Sequence, residues 1–233
     1  MRFDLYLESG PQHRKTWIYV PGLPGCSTLS PTSDEAVEYA RAAIRGRLEF
    51  LRRHGEATPD TDPIEPVVAD HAIGGKFLGY GQMFIATDLE PLTADEAASR
   101  LLWASWSREE LVAAARAIAE PLTARPASGG RSAAAILSHV AGSEWSYVSS
   151  TLGTLPGAGP AIAAIEGAGE NPWAALADER ETVMERLRAM TIEELRRAEQ
   201  RDGKPPRTAR RMLRRFLEHE WEHVLELRAR AID

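Results

Sequence analysis

Residues 214–233 read RRFLEHEWEHVLELRARAID, and the centre of this stretch, HEWEH, places His219 and His223 four positions apart. At this spacing two histidine rings lie one helical turn apart and can bind the same ion. Apolar residues at helical spacing share the face of both histidines, namely Met212, Phe216 and Leu227. The stretch therefore predicts a helix whose buried face presents a pair of metal ligands. The alternatives are a solvated polar segment or two ordinary core histidines.

The H-E-x-x-H spacing is also that of a zinc-protease helix, in which Glu220 would be the general base. Such a protease needs a third ligand, commonly downstream, but only Glu226 and Asp233 follow as carboxylates. The protease interpretation thus lacks its usual third ligand. His139, in a helical stretch with small residues on the same face, is the alternative donor. Three histidines from two helices would leave one metal position open for water or substrate.

The composition of the chain limits the kinds of site that it can form. The 233 residues are 43% hydrophobic and 27% charged with a net charge of -6, which favours two modules and gives no general attraction for nucleic acid. The single cysteine, Cys26, excludes an internal disulfide and a cysteine-based zinc site, so a metal must use His, Asp or Glu. No apolar run resembles a membrane span or a signal peptide, so we expect a cytoplasmic protein without a membrane partner.

Residues 1–92 are predicted to form an α+β domain. FDLYLES and KTWIYV alternate as a strand pair, and 64–73 and 80–92 could supply further strands. Thr32 and Glu35 have capping-box spacing ahead of a helix that should end near Gly55.

Residues 93–233 are predicted to form a bundle of four long helices. Ser132 and Thr208 are predicted N-caps, and Asn171 followed by Pro172 is typical of a helix start. GTLPGAGP and DGKPP are read as breakers between helices. Metal sites in bundles are built where side chains from facing helices meet.

Two segments of this helical region match without a gap, which indicates a weak internal repeat. RSAAAILSHVAGSEWSYV, residues 131–148, aligns with RTARRMLRRFLEHEWEHV, residues 207–224. The alignment pairs Glu144 with Glu220 and Trp145 with Trp221. We interpret it as two helix pairs related by approximate two-fold symmetry.

His139 in ILSHVAGSEW, followed by His219 and His223 in FLEHEWEH, resembles the three-histidine pattern of the DinB/YfiT-like superfamily. The resemblance covers about residues 100–233. It implies an all-α four-helix bundle in which these three positions hold a divalent metal, with zinc or nickel expected. One departure is that Arg131 and Arg207 stand where members often carry an aromatic residue.

Members of that superfamily include transferases and isomerases that use low-molecular-weight thiols, and proteins described as metal-dependent hydrolases. The resemblance therefore implies a metal that activates a thiol or a water to attack a small-molecule substrate. Glu220 and Glu144 are candidates for the catalytic base or for carboxylates behind the ligands. Both could equally be surface residues that make helix pairs.

VPGLPGCSTLSPTSDEAVEYARAAI, residues 20–44, resembles the HicB-type antitoxin domain, in which a similar PGLPG turn precedes a capped helix. This resemblance covers about residues 1–56 and implies a partial RNase H-like fold. A helical bundle follows it here in place of a DNA-binding element. We therefore expect oligomerisation, such as a homodimer, partner binding or covering of the metal pocket, with a plain structural module as the alternative.

A basic cluster begins the last helix. Cations are unfavourable at a helix N-terminus, so acidic residues of TIEEL or an anionic ligand should compensate. We predict solvated ion pairs, with phosphate or nucleic-acid binding as the alternative. The cluster consists of Arg207, Arg210, Arg211, Arg214 and Arg215.

The sequence thus predicts an α+β HicB-like domain followed by a DinB-like bundle with a His139, His219 and His223 metal site. The leading functional hypothesis is a metal-dependent thiol transferase or hydrolase. The alternative is a non-enzymatic partner-binding or regulatory protein whose metal site is structural or vestigial.

Overall fold

The structure is a computed structural model and describes residues 1–58, 63–74, 83, 85–127, 129–167, 172–201 and 204–231. In chain order its elements are β1 Arg2–Ser9, β2 Arg14–Tyr19, β3 Ser27–Thr32, α1 Ala36–Arg53, β4 Glu65–Ile73, α2 Ala94–Arg116, α3 Ala133–Leu152, α4 Ala158–Glu166, α5 Pro172–Arg188, α6 Ile192–Arg196, β5 Glu199–Arg201, β6 Lys204–Arg207 and α7 Ala209–Arg230.

The chain forms two compact units. Residues 1–91 with 198–218 form one, called here the sheet unit, and residues 92–197 with 219–233 form the other, called the helical unit. Helix α7 begins in the first unit and ends in the second. The predicted division into domains 1–92 and 93–233 stays a prediction.

The sheet unit contains a mixed four-stranded sheet in the order β3-β2-β1-β4. β1 pairs antiparallel with β2 and parallel with β4, and β2 pairs antiparallel with β3. Phe3, Leu5 and Leu7 of β1 are buried at every second position, and α1 packs on β2, β3 and β4. The predicted strand pair, the helix over 36–53 and the strand within 64–73 are confirmed.

The structure differs from the sequence predictions at three places in this unit. Residues 27–32 form β3, a strand that was not predicted, and Thr32 is the end of that strand. The helix N-cap is Glu35, which makes no side-chain capping bond, so the predicted capping box is absent. Residues 86–89 form a short 3-10 helix in place of a strand, while residues 80–82 and 84 lie outside the described residues.

The helical unit is built on α2, α3, α5 and the second half of α7, with α4 and α6 as short additional helices. Ser132 caps α3 by accepting from the backbone N–H of Ala135, as predicted. Thr208 accepts from the backbone N–H of Arg211 at the start of α7, which confirms the second predicted cap. Pro172 begins α5, although Asn171 lies outside the described residues.

The predicted breakers contain more structure than expected. GTLPGAGP ends α3 but also starts α4, and the segment around DGKPP holds the antiparallel hairpin β5–β6. Within the described residues, no helix combines the length and low polarity that a bilayer span requires. Whether the sheet is HicB-like stays a prediction.

Candidate metal centre

His139 on α3 and His219 and His223 on α7 come together within the helical unit. Each offers one ring nitrogen, and these three atoms lie within 4.8 Å of one another. The Nε2 atoms of His139 and His219 are 3.0 Å apart. A tetrahedral ion with metal–nitrogen bonds of about 2.05 Å would separate two ligand nitrogens by roughly 3.3 Å. The geometry is thus close to that of ligands that share an ion.

The three rings also pack edge to face. Their centroids are 4.8 Å apart for His139 and His219, 5.2 Å for His139 and His223, and 4.7 Å for His219 and His223. His219 and His223 are buried, as the apolar stripe predicted, whereas His139 is exposed. The cluster is therefore fixed on the α7 side and accessible on the α3 side.

Glu226 fixes the orientation of His223. Nδ1 of His223 lies 2.7 Å from Oε2 of Glu226, one turn further along α7. This hydrogen bond lowers the pKa of the Glu226 carboxyl, so the carboxylate accepts and Nδ1 carries the proton. Nε2 is then left with a lone pair, and among the described residues this buried atom has no hydrogen-bond partner. An unprotonated ring nitrogen with a free lone pair is what a metal ligand requires.

A second chain of contacts holds Glu226 itself. Arg230 donates from one guanidinium nitrogen to Oε1 of Glu226 at 2.6 Å and from another to the carbonyl oxygen of Arg131. Arg131 directly precedes Ser132, the N-cap of α3. The carboxylate behind His223 is thus tied to the start of the helix that bears His139.

His139 is held in its neutral form. Its ring packs against the two other rings although the residue has an exposed side. Burial, followed by the positive charge of Arg131 and the neighbouring His223, lowers the pKa of His139 to about 4. A neutral imidazole at pH 7 is the form that binds a metal.

The two candidate catalytic glutamates lie in a buried ring of ion pairs. Arg108 of α2 donates to Glu144 Oε2 at 2.6 Å and to Glu220 Oε1 at 2.7 Å. Arg180 of α5 donates to Glu144 Oε1 at 2.6 Å and to Glu220 Oε2 at 3.2 Å. Four residues from α2, α3, α5 and α7 therefore form a closed ring inside the helical unit.

The interpretation of Glu144 and Glu220 as surface residues is wrong. Their exposed fractions are 1% and 0%, and all four of their carboxylate oxygens accept from an arginine. Burial raises the pKa of the Glu220 carboxyl, and the positive charges of Arg180 and Arg108 oppose that rise. Their predicted catalytic role stays a prediction, and the contacts favour a role in holding the four helices together.

The basic cluster at the start of α7 is also more buried than predicted. Arg214 donates to both carboxylate oxygens of Asp88, at 2.8 and 2.7 Å, and also contacts Glu218. Arg215 donates to Glu218 at 2.9 Å, and both arginines are 2% exposed. Solvated ion pairs are therefore wrong for these two residues. Asp88 and Glu218 supply the compensating charge that the sequence assigned to TIEEL.

A comparison with models of known protein families finds a match to the part of the chain that contains this site. A model of the DinB superfamily matches residues 104–227, which is more than half of the chain. The chain belongs to the DinB superfamily. The matched range contains the three clustered histidines and the four residues of the buried ion-pair ring.

A second comparison finds a relative that is similar over a short stretch. The UPF0150 protein Ta0767 of Thermoplasma acidophilum is 43% identical over 42 residues, which are 18% of this chain and 61% of that protein. The chain thus spans about three-fifths of the length of that relative. No solved structure matches the chain.

The arginines of this DinB-superfamily ring were missed from the sequence although a signal existed. Arg108 has buried Ala104 and Leu111 four positions before and three after it. Arg180 has buried Leu176 and Val183 at the same offsets. An arginine on the apolar stripe of a helix indicates a buried ion pair, because an unpaired buried charge is strongly unfavourable.

Proposed function

We propose that the helical unit is a metal-dependent enzyme, a thiol transferase or a hydrolase, that acts on a small-molecule substrate. The observation that supports it is the cluster of His139, His219 and His223, with two buried rings and one accessible ring. A structural metal site is normally closed by four protein ligands. Here the described residues supply a group of three, which leaves room for a fourth ligand that is not protein.

The three histidines would hold a divalent ion, with zinc or nickel as the candidates. When bound, such an ion lowers the pKa of a thiol or a water at the open position and so supplies a nucleophile at neutral pH. The ring nitrogens suit both metals, since imidazole is a borderline ligand for zinc and nickel alike.

The rest of the centre positions these ligands. Glu226 keeps the proton of His223 on Nδ1 and so leaves the Nε2 lone pair free to bind a metal. Arg230 holds the Glu226 carboxylate in place through its own hydrogen bond. Arg131 helps to keep His139 unprotonated. Substrate and a low-molecular-weight thiol would approach from the side of His139, which is the exposed member of the cluster.

Metal analysis of the purified full chain tests the first part of the proposal. After loading with zinc or nickel and dialysis, the wild type should retain a stoichiometric ion, and His219→Ala should retain none. His54→Gln, in the sheet unit, is the matched control and should behave as the wild type. Equal metal content in the wild type and His219→Ala would refute the proposal.

Turnover tests the second part. The metal-loaded chain is assayed for thiol consumption with a panel of low-molecular-weight thiols and electrophiles, and for hydrolysis of ester and amide reporters. Metal-dependent turnover that His219→Ala lacks is expected. Metal binding without turnover in any assay would favour the alternative, in which the metal has a structural role.

We also propose that the β1–β4 sheet with α1 is a HicB-like module that binds a protein partner or a second copy of the chain. The short UPF0150 relative and the PGLPG turn at 21–25 support this assignment. Light scattering on the full chain tests self-association. A monomer at all concentrations, together with no captured protein partner, would contradict the proposal. Persistence of an assembly in His219→Ala would show that it does not depend on the metal.

A further inference from the structure

A second candidate site lies in the helical unit, away from the three histidines. A cavity of about 160 Å³ is lined by α3, α4, α5 and the segment that joins α3 to α4. Exposed Asp178 and Thr182 of α5 stand on its solvent side. Trp145 of α3 and Glu179 of α5 also line it. A cavity of roughly 150 Å³ holds a molecule of about six non-hydrogen atoms, so the ligand must be small.

Glu179 is a buried carboxyl group at this cavity. The residue is 4% exposed, and among the described residues no donor makes a hydrogen bond to either carboxylate oxygen. Buried carboxyl groups are normally hydrogen-bonded, because an unsatisfied polar atom loses its water without a replacement. We therefore expect the hydrogen-bond partner of Glu179 to be a ligand in the cavity.

The neighbouring charges make Glu179 an additional carboxyl group. Arg108 and Arg180 interact with it electrostatically, and both guanidinium groups are bound to Glu144 and Glu220, although Nη1 of Arg108 has no hydrogen-bond partner among the described residues. Among these five described residues there are two cations and three carboxyl groups. When Glu179 is ionised, a cation in the cavity would balance the third.

Trp145 adds a hydrogen-bond donor to the same cavity. Its indole Nε1 is buried and, among the residues that the structure describes, has no acceptor. Indole Nε1 can only donate. The residues that line the cavity thus combine an acceptor without a donor and a donor without an acceptor, beside the apolar face of the indole.

We propose that this cavity binds a small primary ammonium compound that also carries a hydroxyl group, with the ammonium on Glu179 and the hydroxyl oxygen on Trp145. A short amino alcohol has the right charge, the right pair of polar groups and the right size. Asp178 at the entrance adds to the negative potential that a cation would meet. The site is separate from the metal centre and does not depend on the enzymatic proposal.

The ionisation of Glu179 agrees with this arrangement. Burial, followed by the negative charge of Glu144, raises the pKa of Glu179 to about 8, against the opposing effect of Arg108 and Arg180, and Glu220 raises it further. Because an ammonium ligand needs the ionised carboxylate, its affinity should increase between about pH 6 and about pH 8 and then level off.

Isothermal titration calorimetry with 3-amino-1-propanol tests the proposal on the full chain. Its uncharged counterpart, 1,3-propanediol, has the same length and should bind at least about tenfold more weakly, which is the difference expected from one charged hydrogen bond. Titration of His219→Ala in parallel excludes coordination of the amine to a metal. Equal binding of the two compounds, or no binding at millimolar concentration, would overturn the proposal.

Variants locate the binding site. Glu179→Gln should weaken binding of the amino alcohol by about tenfold or more, and Trp145→Phe should weaken it by a smaller factor through loss of the indole donor. Glu185→Gln, at an exposed position of the same helix, is the matched control and should bind as the wild type. Unchanged affinity in Glu179→Gln would place the ligand elsewhere. If a variant fails to fold, the comparison of the two ligands on the wild type still decides the question.

Discussion

Replacing Arg180 by leucine tests whether the buried ion-pair ring holds the helical unit together. Arg180 donates to Glu144, to Glu220 and to the carbonyl oxygen of Ala104, and its side chain is 8% exposed. In Arg180→Leu three buried acceptors lose a donor, and the two carboxylates must share Arg108 alone. The variant keeps an apolar side chain at the position, so the main change is the loss of charge and of hydrogen bonds.

The expected loss of stability is large. Removing one partner of a buried ion pair destabilises by about 3–5 kcal/mol, because the remaining charge stays buried without compensation. For a unit of about 120 residues, 1 kcal/mol corresponds to a shift of roughly 4 °C in the melting temperature. Arg180→Leu should therefore lower the melting temperature of the helical unit by about 12–20 °C.

Urea unfolding, followed by tryptophan fluorescence, measures the change in the free energy of unfolding of the helical unit. Trp17 is the one tryptophan of the chain outside the helical unit, so the signal reports mainly on that unit. The control is Arg188→Leu, which removes an ion pair with Glu181 whose side chains are 53% and 58% exposed. Exposed pairs contribute about 1 kcal/mol or less, so the control should remain close to the wild type.

Two results would refute the reasoning. One is a loss of stability in Arg180→Leu that is no larger than the loss in Arg188→Leu, because the ring would then not contribute to stability. The other is strict additivity in the pair Arg180→Leu and Glu144→Gln. The second substitution removes one of the uncompensated charges, so the double variant should be more stable than the sum of the single effects predicts.

Three further variants test other parts of the structure. Glu226→Gln should weaken metal binding by about 10- to 100-fold, because His223 loses the carboxylate that fixes its tautomer, whereas Glu222→Gln should not weaken it. Competition with a metal-binding dye measures both affinities, and equal values would contradict the role assigned to Glu226. Glu179→Gln should be more stable than the wild type, by an amount that grows from about pH 4.5 to about pH 8. The reason is that the raised pKa of Glu179 makes the folded wild type retain a proton that the unfolded chain releases. Urea unfolding measures the difference in free energy of unfolding, and a difference that does not vary with pH would contradict this prediction. Arg214→Leu should destabilise the sheet unit by about 3–5 kcal/mol, because Asp88 would remain buried without its bidentate partner. Hydrogen exchange of the sheet amides measures this loss of stability, and unchanged protection would show that the ion pair is dispensable.

The clustered histidines could be predicted because two independent patterns agreed. The i, i+4 spacing placed His219 and His223 on one turn, and the apolar positions around them indicated the buried face. The prediction of His139 as the third ligand needed further information, because local sequence spacing does not show that α3 lies close to α7. The resemblance to a superfamily supplied that pairing, and the structure brings the ring to within hydrogen-bond distance of His219.

The missed elements are those whose sequence signals contradict their structure. β3 contains Pro31, and β6 contains Pro205 and Pro206, which argue against strands in a search along the chain. The short helix α4 begins among glycines and a proline, in a segment typical of a loop. These elements form because neighbouring segments pair with them or pack on them, and tertiary contacts of this kind leave no local pattern.

The buried charges give the internal repeat a counterpart in the structure. Glu144 and Glu220 occupy equivalent positions of the aligned segments, and each accepts from both Arg108 and Arg180. Arg108 lies on α2, the long helix before α3, and Arg180 lies on α5, the long helix before α7, so each half contributes an arginine and a glutamate.

The residue before each arginine breaks this equivalence, since it is Ser107 in one half and Glu179 in the other. Both are buried, with exposed fractions of 0% and 4%. The ring is complete with two arginines and two glutamates, so the first half needs no further carboxylate beside its arginine. Glu179 is therefore an addition to the ring rather than part of it. A buried carboxyl group in one half only, without a hydrogen-bond partner among the described residues and in the lining of a cavity, agrees with the proposal that the cavity binds a cationic ligand.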